Sequence, residues 1–246
     1  MSRNLELLRR VAKNEFFNVL DEPVSPHVMT PTSISFKKEP PDPEITKLVQ
    51  RLFSQASKGS GSKVVSFSGI TRDDRSGWIC ARAGEALAEQ VDTSVCIVHA
   101  NLWSPRLHLH GNADHHIGLA EALTTKGAIR SFATPLCGKN LWLIPAGLVK
   151  PPSFNASMER YRERFAELRE AFDYILINAP ALSSEGEATF IGQLADGAIL
   201  IVEANKTRRD TVRRAKAQLE SAQVQLLGAV LDQRTFPIPE KLYRRL

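Results

Sequence analysis

Short apolar runs alternate with longer stretches of helical periodicity along most of this chain. The runs are rich in Val, Ile and Leu and lie at 64–67, 95–98, 141–144, 174–177, 198–202 and 226–231. The spacing of apolar positions predicts helices between them near 76–90, 117–125, 156–171, 185–194 and 207–223. Continuously apolar strands separated by helices are typical of an α/β fold, in which helices cover both faces of a parallel sheet. Such folds bind ligands at the carboxyl ends of their strands.

The first part of the chain is organised differently. Residues 1–20 mix apolar and charged positions at the spacing of an amphipathic helix, and prolines are frequent from there to Pro43. We therefore predict an N-terminal amphipathic segment and Pro-rich tether over 1–43, and one α/β domain over 44–246. Within that domain a helix at 44–56 and a Gly/Ser-rich joint at 58–63 precede the first strand. The N-terminal helix either caps the domain or docks on a helix of a partner.

Composition narrows the class of protein. The chain has 246 residues, of which 43% are hydrophobic and 24% are charged, as in ordinary globular domains. No apolar run reaches the roughly 18–20 residues of a membrane helix, so we expect a cytoplasmic location. Cys80, Cys96 and Cys137 show no CxxC spacing, which favours a reducing compartment over a disulfide framework or a zinc site. The net charge of +5 is a mild excess that suits an acidic partner or a membrane surface.

The first candidate site follows the apolar run at 64–67. A phosphate loop reads GxxxxGK[ST] between a strand and a helix, where backbone N–H groups surround the phosphates, Lys neutralises charge and the hydroxyl holds magnesium. Gly69 and Ser76 fit this pattern, but Arg75 stands at the Lys position and Asp74 at the second Gly position. Asp74 carries a Cβ that disfavours left-handed backbone geometry, and its carboxylate repels phosphate. These four residues are candidate remnants of a nucleotide-binding loop.

Polar residues also end the next apolar strand, at His99 and Asn101, with Trp103 two positions later. This stretch resembles the Asp-x-Asp-x-Arg element of the bacterial tyrosine kinases of exopolysaccharide and capsule synthesis, a branch of the deviant P-loop (Walker) ATPases. The resemblance places His99 and Asn101 at the two Asp positions, and Trp103 at the Arg position. In that family the carboxylates act through magnesium and in catalysis. A neutral His and an Asn do not supply the anionic oxygens that Mg²⁺ prefers.

The third strand end repeats this loss of charge. Residues 172–180 resemble the family's FDxVIIDxPP element, whose last Asp organises the magnesium shell, and Asn178 occupies that position. The resemblance therefore implies a P-loop-type fold in which His99, Asn101 and Asn178 are degenerate catalytic positions and no catalytic residue is retained.

Further stretches extend the resemblance over 44–246. Residues 143–147 with Pro151 and Pro152 resemble an LPAGxxPP turn, 196–202 a DGxLLVV strand and 228–232 a GVVLN strand, while 236–239 and 243–246 resemble the ending of some members. Glu44 is the one retained residue of a Glu–Arg–Arg helix that members use in self-association. Members that autophosphorylate carry several C-terminal tyrosines, whereas this chain has Tyr243 alone there as a candidate phosphoacceptor.

Two remaining clusters have ordinary interpretations. The histidines at 99, 108, 110, 115 and 116 have no carboxylate partner at a recognised spacing, so we expect no metal site. A basic stretch is formed by Arg208, Arg209, Arg213, Arg214 and Lys216. It is either a solvated helix face or a surface for an acidic protein or anionic lipid. No interleaved aromatics accompany it, which argues against nucleic acid as a partner.

The favoured hypothesis is a non-catalytic, pseudokinase-like protein of exopolysaccharide or capsule biosynthesis without a cofactor. It would regulate a membrane polysaccharide co-polymerase (chain-length regulator) or an active paralogue, from the cytoplasm or at the inner membrane through that partner, with self-association as a further option. The alternative is an atypical tyrosine autokinase or ATPase that uses ATP and Mg²⁺. An ATPase of the chromosome- or cell-positioning type is disfavoured, because Ile70 and Thr71 occupy the neighbourhood of its signature Lys.

Overall fold

The computed structural model describes residues 42–53, 62–71, 75–102, 117–136, 140–148, 154–184 and 186–234. Within these ranges the helices are α1 (Pro43–Phe53), α2 (Ser76–Ala88), α3 (Leu119–Thr124), α4 (Phe154–Ala171), α5 (Glu187–Leu194) and α6 (Arg209–Ser221), with a 3₁₀ turn at Ile129–Phe132. The strands are β1 (Lys63–Gly69), β2 (Val95–His99), β3 (Thr134–Pro135), β4 (Leu141–Ile144), β5 (Tyr174–Asn178), β6 (Gly197–Glu203) and β7 (Leu226–Asp232). Of the predicted N-terminal segment over 1–43, residues 1–41 lie outside the described residues.

The strands form one 7-stranded sheet in the order β3-β4-β2-β5-β1-β6-β7. All neighbouring pairs are parallel except β3 and β4, which are antiparallel. The predicted α/β class and its parallel sheet are therefore confirmed. The edge strand β3 was not predicted, because two residues that include Pro135 show no periodic signal.

The core lies on both faces of the sheet, which explains why the strands read as continuous apolar runs. Along β2, for example, Val95 and Ile97 pack on the face that α1 and α2 cover, whereas Cys96 and Val98 pack on the face that α3 and α4 cover. Alternate residues of a strand point to opposite faces, so a strand covered on both sides is apolar at every position. Helices α5 and α6 extend the second face over β6.

Helix α1 begins with local signals that the sequence carries. Pro43 is its first residue, where a missing backbone N–H costs nothing. The side chain of Asp42 accepts a hydrogen bond from the backbone N–H of Glu44 at 2.9 Å, as an N-cap residue does. Ile45, Val49 and Phe53 then form its buried face. The predicted helix at 44–56 is thus present from Pro43, and its last three predicted residues lie outside the described ranges.

The Asp-Gly pair before β6 has a structural function. The carboxylate of Asp196 accepts a hydrogen bond from the backbone N–H of Val64 at 2.7 Å and pairs with Arg169 at 2.7 Å. These contacts join β1, α4 and β6 at the amino edge of the sheet. A Cβ on Gly197 would lie 2.5 Å from Cγ of Leu227, so only glycine lets β6 and β7 approach here. Packing and hydrogen bonding therefore account for the Asp-Gly pair of the stretch 196–202 that resembles the family.

A second carboxylate, Asp173, joins the starts of β2 and β5. It accepts hydrogen bonds from the hydroxyl of Ser94 at 2.6 Å and from the backbone N–H of Ser94 at 2.9 Å. The Ser94 hydroxyl contributes most to lowering the pKa of Asp173 below its ordinary value of 3.8, and the backbone N–H adds to it. A carboxyl with a lowered pKa stabilises the fold above about pH 4, and that stabilisation is lost as the pH falls through the folded-state pKa.

We therefore expect Ser94→Ala to lower stability by a pH-dependent amount. At pH 7 the variant should be less stable than the wild type by less than about 1 kcal/mol, because Asp173 is exposed to solvent. The difference should shrink at pH 3 and below, as Asp173 becomes protonated. Urea unfolding at several pH values measures it. Ser221→Ala is the control, since that hydroxyl donates to the carbonyl of Gln218 and its effect should not change with pH. An equal Ser94→Ala difference at pH 7 and pH 3 would contradict the assignment.

Candidate functional site

The candidate site lies at the carboxyl edge of the three central strands. In the register of the sheet, Asn178 at the end of β5 is level with Phe67 of β1 on one side and with His99 of β2 on the other. Residues at the same level of neighbouring parallel strands point to the same face. His99 and Asn178 are both buried, with exposed fractions of 1% and 3%. Two of the three positions that the sequence predicts to be degenerate are thus side by side.

Ser76 joins this buried polar group from the first turn of α2. Its Oγ lies 3.4 Å from Oδ1 of Asn178, an amide oxygen that can accept the hydroxyl proton. Its residue exposure is 7%. In a phosphate loop the hydroxyl at this position and an acidic residue across from it hold magnesium. Here the partner of Ser76 is a neutral amide, so the pair lacks the anionic charge that attracts a hard cation.

Arg75, the residue before Ser76, points to another part of the sheet edge. Its Nη1 donates to Oδ1 of Asp232 at 3.2 Å, and its guanidinium carbon lies 4.0 Å from the ring centroid of Trp78. The side chain of Arg75 is 37% exposed and that of Asp232 is 12% exposed. The arginine at the lysine position is therefore held by an acidic residue and an aromatic ring of its own chain.

The two chemically important side chains of the loop diverge as a result. Asn178 is on β5, the neighbour of β1 on one side, whereas Asp232 ends β7, which is two strands away from β1 on the other side. Ser76 reaches toward the first and Arg75 toward the second. In a working phosphate loop the lysine contacts the phosphates and the hydroxyl holds the magnesium ion bound to them, so the two side chains act at one place. In this conformation they do not converge.

The start of the loop is tied to the segment that follows β5. The carbonyl of Gly69 accepts a hydrogen bond from the backbone N–H of Leu182 at 2.9 Å, and the carbonyl of Ile70 accepts one from Ser183 at 3.3 Å. Ile70 is buried in the apolar cluster under α5 and α6. Residues 72–74, and with them Asp74, lie outside the described residues.

Of the other predicted site residues, Asn101 lies in the described ranges. Asn101 lies two residues beyond β2 and is half-buried. Trp103, Tyr243 and the histidines at 108, 110, 115 and 116 lie outside the described ranges. Across the ranges that are described, no group of three or more His, Cys, Asp or Glu residues is arranged to hold a metal ion. Cys80 and Cys96 are fully buried, and burial raises the pKa of both thiols far above the ordinary value, so they stay protonated.

Sequence reasoning missed Asp232 and Trp78 as parts of this site. A signal existed for each: Asp232 closes an apolar strand at the ligand-binding edge, and Trp78 follows Arg75 by three positions at the start of a helix, where residues at that spacing are neighbours. Neither signal shows that Arg75 would bind them, because the Arg75–Asp232 contact spans 157 positions of the chain.

The turn after β4 is held rigidly by the amino end of α3. Leu119 and Ala120 donate backbone hydrogen bonds to the carbonyls of Pro145 and Ala146 at 2.8 and 2.9 Å. The carboxylate of Glu121, which is 8% exposed, accepts from the backbone N–H groups of Gly118 and Leu148, each at 2.7 Å. The LPAG-like stretch is therefore a clamped structural element beside the site.

The basic stretch lies on the surface. The five basic side chains are all exposed, and they are Arg208, Arg209, Arg213, Arg214 and Lys216. Arg213 pairs with Asp210 at 3.2 Å and Lys216 with Glu220 at 3.3 Å, with all four side chains more than half exposed. Pairs of this kind contribute little to stability. Of the helices in the described part of the chain, none has the length and apolar character to cross a bilayer.

Comparisons with known proteins give relatives for this chain, although no family model matches it. It is 25% identical over 144 residues to the tyrosine-protein kinase YwqD of Bacillus subtilis, a match that covers 58% of this chain and 61% of the relative. It is 24% identical over 144 residues to the putative tyrosine-protein kinase CapB of Staphylococcus aureus, covering 58% and 63%. With the tyrosine-protein kinase CpsD of Streptococcus agalactiae it shares 31% over 93 residues, covering 37% and 40%. The matches thus span less than two thirds of these relatives.

Solved structures share the fold more completely. The chimerical protein CapA2B2 superposes with a TM-score of 0.71 at 16% identity, covering 81% of this chain and 87% of that one. The kinase domain of the Escherichia coli tyrosine kinase ETK gives 0.65 at 18%, covering 79% of each chain. A ParA family ATPase from Chlorobium tepidum gives 0.55 at 18%, covering 70% and 74%. The homologues of this chain are bacterial tyrosine-protein kinases, and it shares its fold with the tyrosine-kinase domain and the ParA family ATPase of these solved structures.

Proposed function

We propose that this chain, a homologue of bacterial tyrosine-protein kinases, is a non-catalytic kinase-like protein of exopolysaccharide or capsule synthesis. It acts by binding a protein partner and transfers no phosphate. The single observation that carries the proposal is the divergence of Arg75 and Ser76, which turn toward Asp232 and Asn178 on opposite sides of β1. A loop whose cation and hydroxyl do not meet cannot neutralise and orient one phosphate.

The loss of metal-binding charge supports the same proposal. Phosphoryl transfer depends almost entirely on positioned charge, and Mg²⁺ supplies much of it. At the strand ends where the family resemblance implies carboxylates, the described side chains are an imidazole at His99 and amides at Asn101 and Asn178. Amide oxygens coordinate Mg²⁺ weakly without a carboxylate beside them. A cation that is engaged elsewhere and anions that are missing together leave neither phosphate nor metal with a strong ligand.

The partner we propose is a membrane polysaccharide co-polymerase or an active paralogue of this chain. A kinase-like domain that keeps its fold retains surfaces on which such a partner can dock, even when its nucleotide site is lost. The exposed basic face of α6 is a candidate for an acidic partner surface. The proposal also places the chain in the cytoplasm, where this partner holds it at the inner membrane. Self-association of the chain is a further part of the proposal.

The second candidate function is an atypical ATP- and Mg²⁺-dependent tyrosine autokinase. One observation favours it: Ser76 and Asn178 still meet at the position where the hydroxyl and the acidic residue of a phosphate loop hold magnesium. The N-terminus of α2 also presents backbone N–H groups to an anion. If this function is real, Arg75→Ala should abolish activity.

Calorimetric titration with ATP and ADP, with and without magnesium, tests the proposal. We expect no heat of binding at nucleotide concentrations up to about 1 mM, because each charged ligand of the nucleotide is missing or engaged. The Bacillus subtilis relative YwqD, titrated under the same conditions, serves as the positive control. A phosphorylation assay with labelled ATP accompanies it. Magnesium-dependent binding in the micromolar range, or autophosphorylation of the purified chain, would reject the non-catalytic function and favour the autokinase.

A further inference from the structure

We propose that Asp232 is an internal counter-anion that holds the guanidinium of Arg75 away from the amino end of α2 and so opposes the binding of phosphate-containing ligands there. The inference deepens the proposed function and rests on it, because it gives one physical cause of the weak phosphate affinity that we expect. The Arg75 cation is present in the chain, but its preferred partner is a carboxylate of the same chain. The contact therefore competes with phosphate for Arg75.

The geometry of the contact supports this role. Nη1 of Arg75 lies 3.2 Å from Oδ1 of Asp232, and the carboxylate side chain is only 12% exposed. Partial burial weakens the screening of this pair by water and salt, so it is stronger than a pair on an open surface. The guanidinium also lies over the ring of Trp78 at 4.0 Å, within the distance of a favourable cation–π contact.

Asp232 is fixed in place by the sheet. It is the last residue of β7, level with Glu203 of β6, and its carbonyl accepts a hydrogen bond from the backbone N–H of Ala204 at 2.8 Å. A carboxylate on a strand end is better fixed than one on a loop, so little conformational entropy opposes the pair. The ring of Trp78 belongs to the first turn of α2. Arg75 is thus held between two rigid elements.

An incoming phosphate has to compete with both contacts. It must separate Arg75 from Asp232 and from Trp78, and it then lies near a carboxylate that has lost its cation. Both effects act against binding: the first removes an attractive charge from the loop, and the second adds a repulsive one. The competition is specific to Asp232, since removal of its charge weakens the hold on Arg75 and substitutes no residue between Gly69 and Ser76.

Asp232→Asn tests the inference, because asparagine keeps the shape of aspartate and removes only its charge. Inorganic pyrophosphate without metal is the probe, titrated calorimetrically. We expect the dissociation constant to fall at least tenfold, from weaker than about 1 mM in the wild type to about 0.1 mM or below in the variant. In the double variant Arg75→Ala/Asp232→Asn this gain in pyrophosphate affinity should disappear, because it depends on the arginine.

Asp210→Asn is the matched control. It makes the same change of net charge at a residue that pairs with Arg213 on the exposed face of α6, with both side chains about four-fifths exposed: 78% for the arginine and 81% for the aspartate. Its pyrophosphate affinity should equal that of the wild type. An equal gain in Asp210→Asn would show an effect of net charge alone and would overturn the inference.

The outcomes separate the inference from the proposed function. If neither the wild type nor Asp232→Asn binds pyrophosphate, the inference is overturned and the non-catalytic function stands. Micromolar pyrophosphate binding by the wild type overturns the inference, whereas the proposed function is rejected by magnesium-dependent nucleotide binding or autophosphorylation. A gain that persists in the double variant overturns the inference, because Arg75 would not be its source. If Asp232→Asn does not fold, Asp232→Ala replaces it, and a failure of both to fold would show that the contact serves the fold rather than the loop.

Discussion

Replacing Arg164 by methionine should lower the free energy of unfolding by about 3–5 kcal/mol, among the largest effects of a single substitution in this chain. Arg164 lies on α4 and is 3% exposed. Its guanidinium donates to the carbonyls of Ala122, Thr125 and Gly127 at 2.7, 2.7 and 2.6 Å. These carbonyls belong to the end of α3 and the turn that follows, where a helix leaves its last acceptors without partners.

Methionine keeps most of the arginine stem and removes all of these donors. The carbonyls that face the buried stem would then lose their partners without gaining water, which costs about 1–3 kcal/mol for each fully buried group. Glu167, which pairs with Arg164 at 2.7 Å, would lose its cation as well, although it is 39% exposed and can be hydrated. The connection between α3 and α4 would be weakened, and with it the turn beside the candidate site.

Urea unfolding followed by circular dichroism measures this loss. Arg160→Met on the same helix is the matched control, because Arg160 pairs with Glu163 where the two side chains are 36% and 52% exposed. It should change the free energy of unfolding by no more than about 0.5 kcal/mol. A loss below about 1 kcal/mol for Arg164→Met would show that water replaces the guanidinium and that Arg164 is not required for the α3 end.

Gly118→Ala should destabilise the fold by about 3 kcal/mol and displace the turn after β4. A Cβ at this position would lie 2.1 Å from the carbonyl oxygen of Pro145 and 2.9 Å from the backbone nitrogen of Gly147. Both are backbone atoms of the clamped turn, so they cannot rotate away as a side chain would. The φ of Gly118 is −154°, an extended value that any residue adopts, so the cost is steric.

The clash has a consequence for hydrogen bonding. Relieving it requires the turn to move away from the amino end of α3, which lengthens the bonds from Leu119 and Ala120 to the turn. Gly228→Ala is the control, since its Cβ would meet only Cδ1 of Ile199 at 4.0 Å, an ordinary contact distance. That variant should remain within about 0.5 kcal/mol of the wild type. If Gly118→Ala were as stable as Gly228→Ala, the turn would have to be adjustable. That result would contradict the conclusion that α3 holds the turn rigidly.

Much of the fold follows from local patterns. The six apolar runs became β1, β2, β4, β5, β6 and β7, and the helical stretches between them became α2 to α6. Periodicity predicts these elements because burial on two faces, or on one helical face, requires apolar residues at fixed spacings. The short strand β3 and the 3₁₀ turn at Ile129–Phe132 had no such pattern, since elements of a few residues are formed by their neighbours.

Part of the candidate site also follows from sequence order. The ends of parallel strands share one edge of the sheet, so the placement of His99 and Asn178 beside each other is a consequence of the predicted topology. The contact of Ser76 with Asn178 is consistent with the phosphate-loop pattern, which places the first helical residue opposite that strand end. The neutral character of these positions, where the family resemblance implies carboxylates, can be read from the residues themselves.

The partner of Arg75 could not be predicted from the order of residues along the chain. The sequence offers Asp73 and Asp74 directly beside it, yet the described partner is Asp232, which is 157 positions away. Arg164 likewise takes its carbonyl partners from a turn 37–42 positions distant. Periodicity reports which faces are buried, because that property depends on neighbours along the chain. The partner of a long charged side chain depends instead on which strand ends and turns packing brings within about 3 Å of it, and only the folded chain sets those distances.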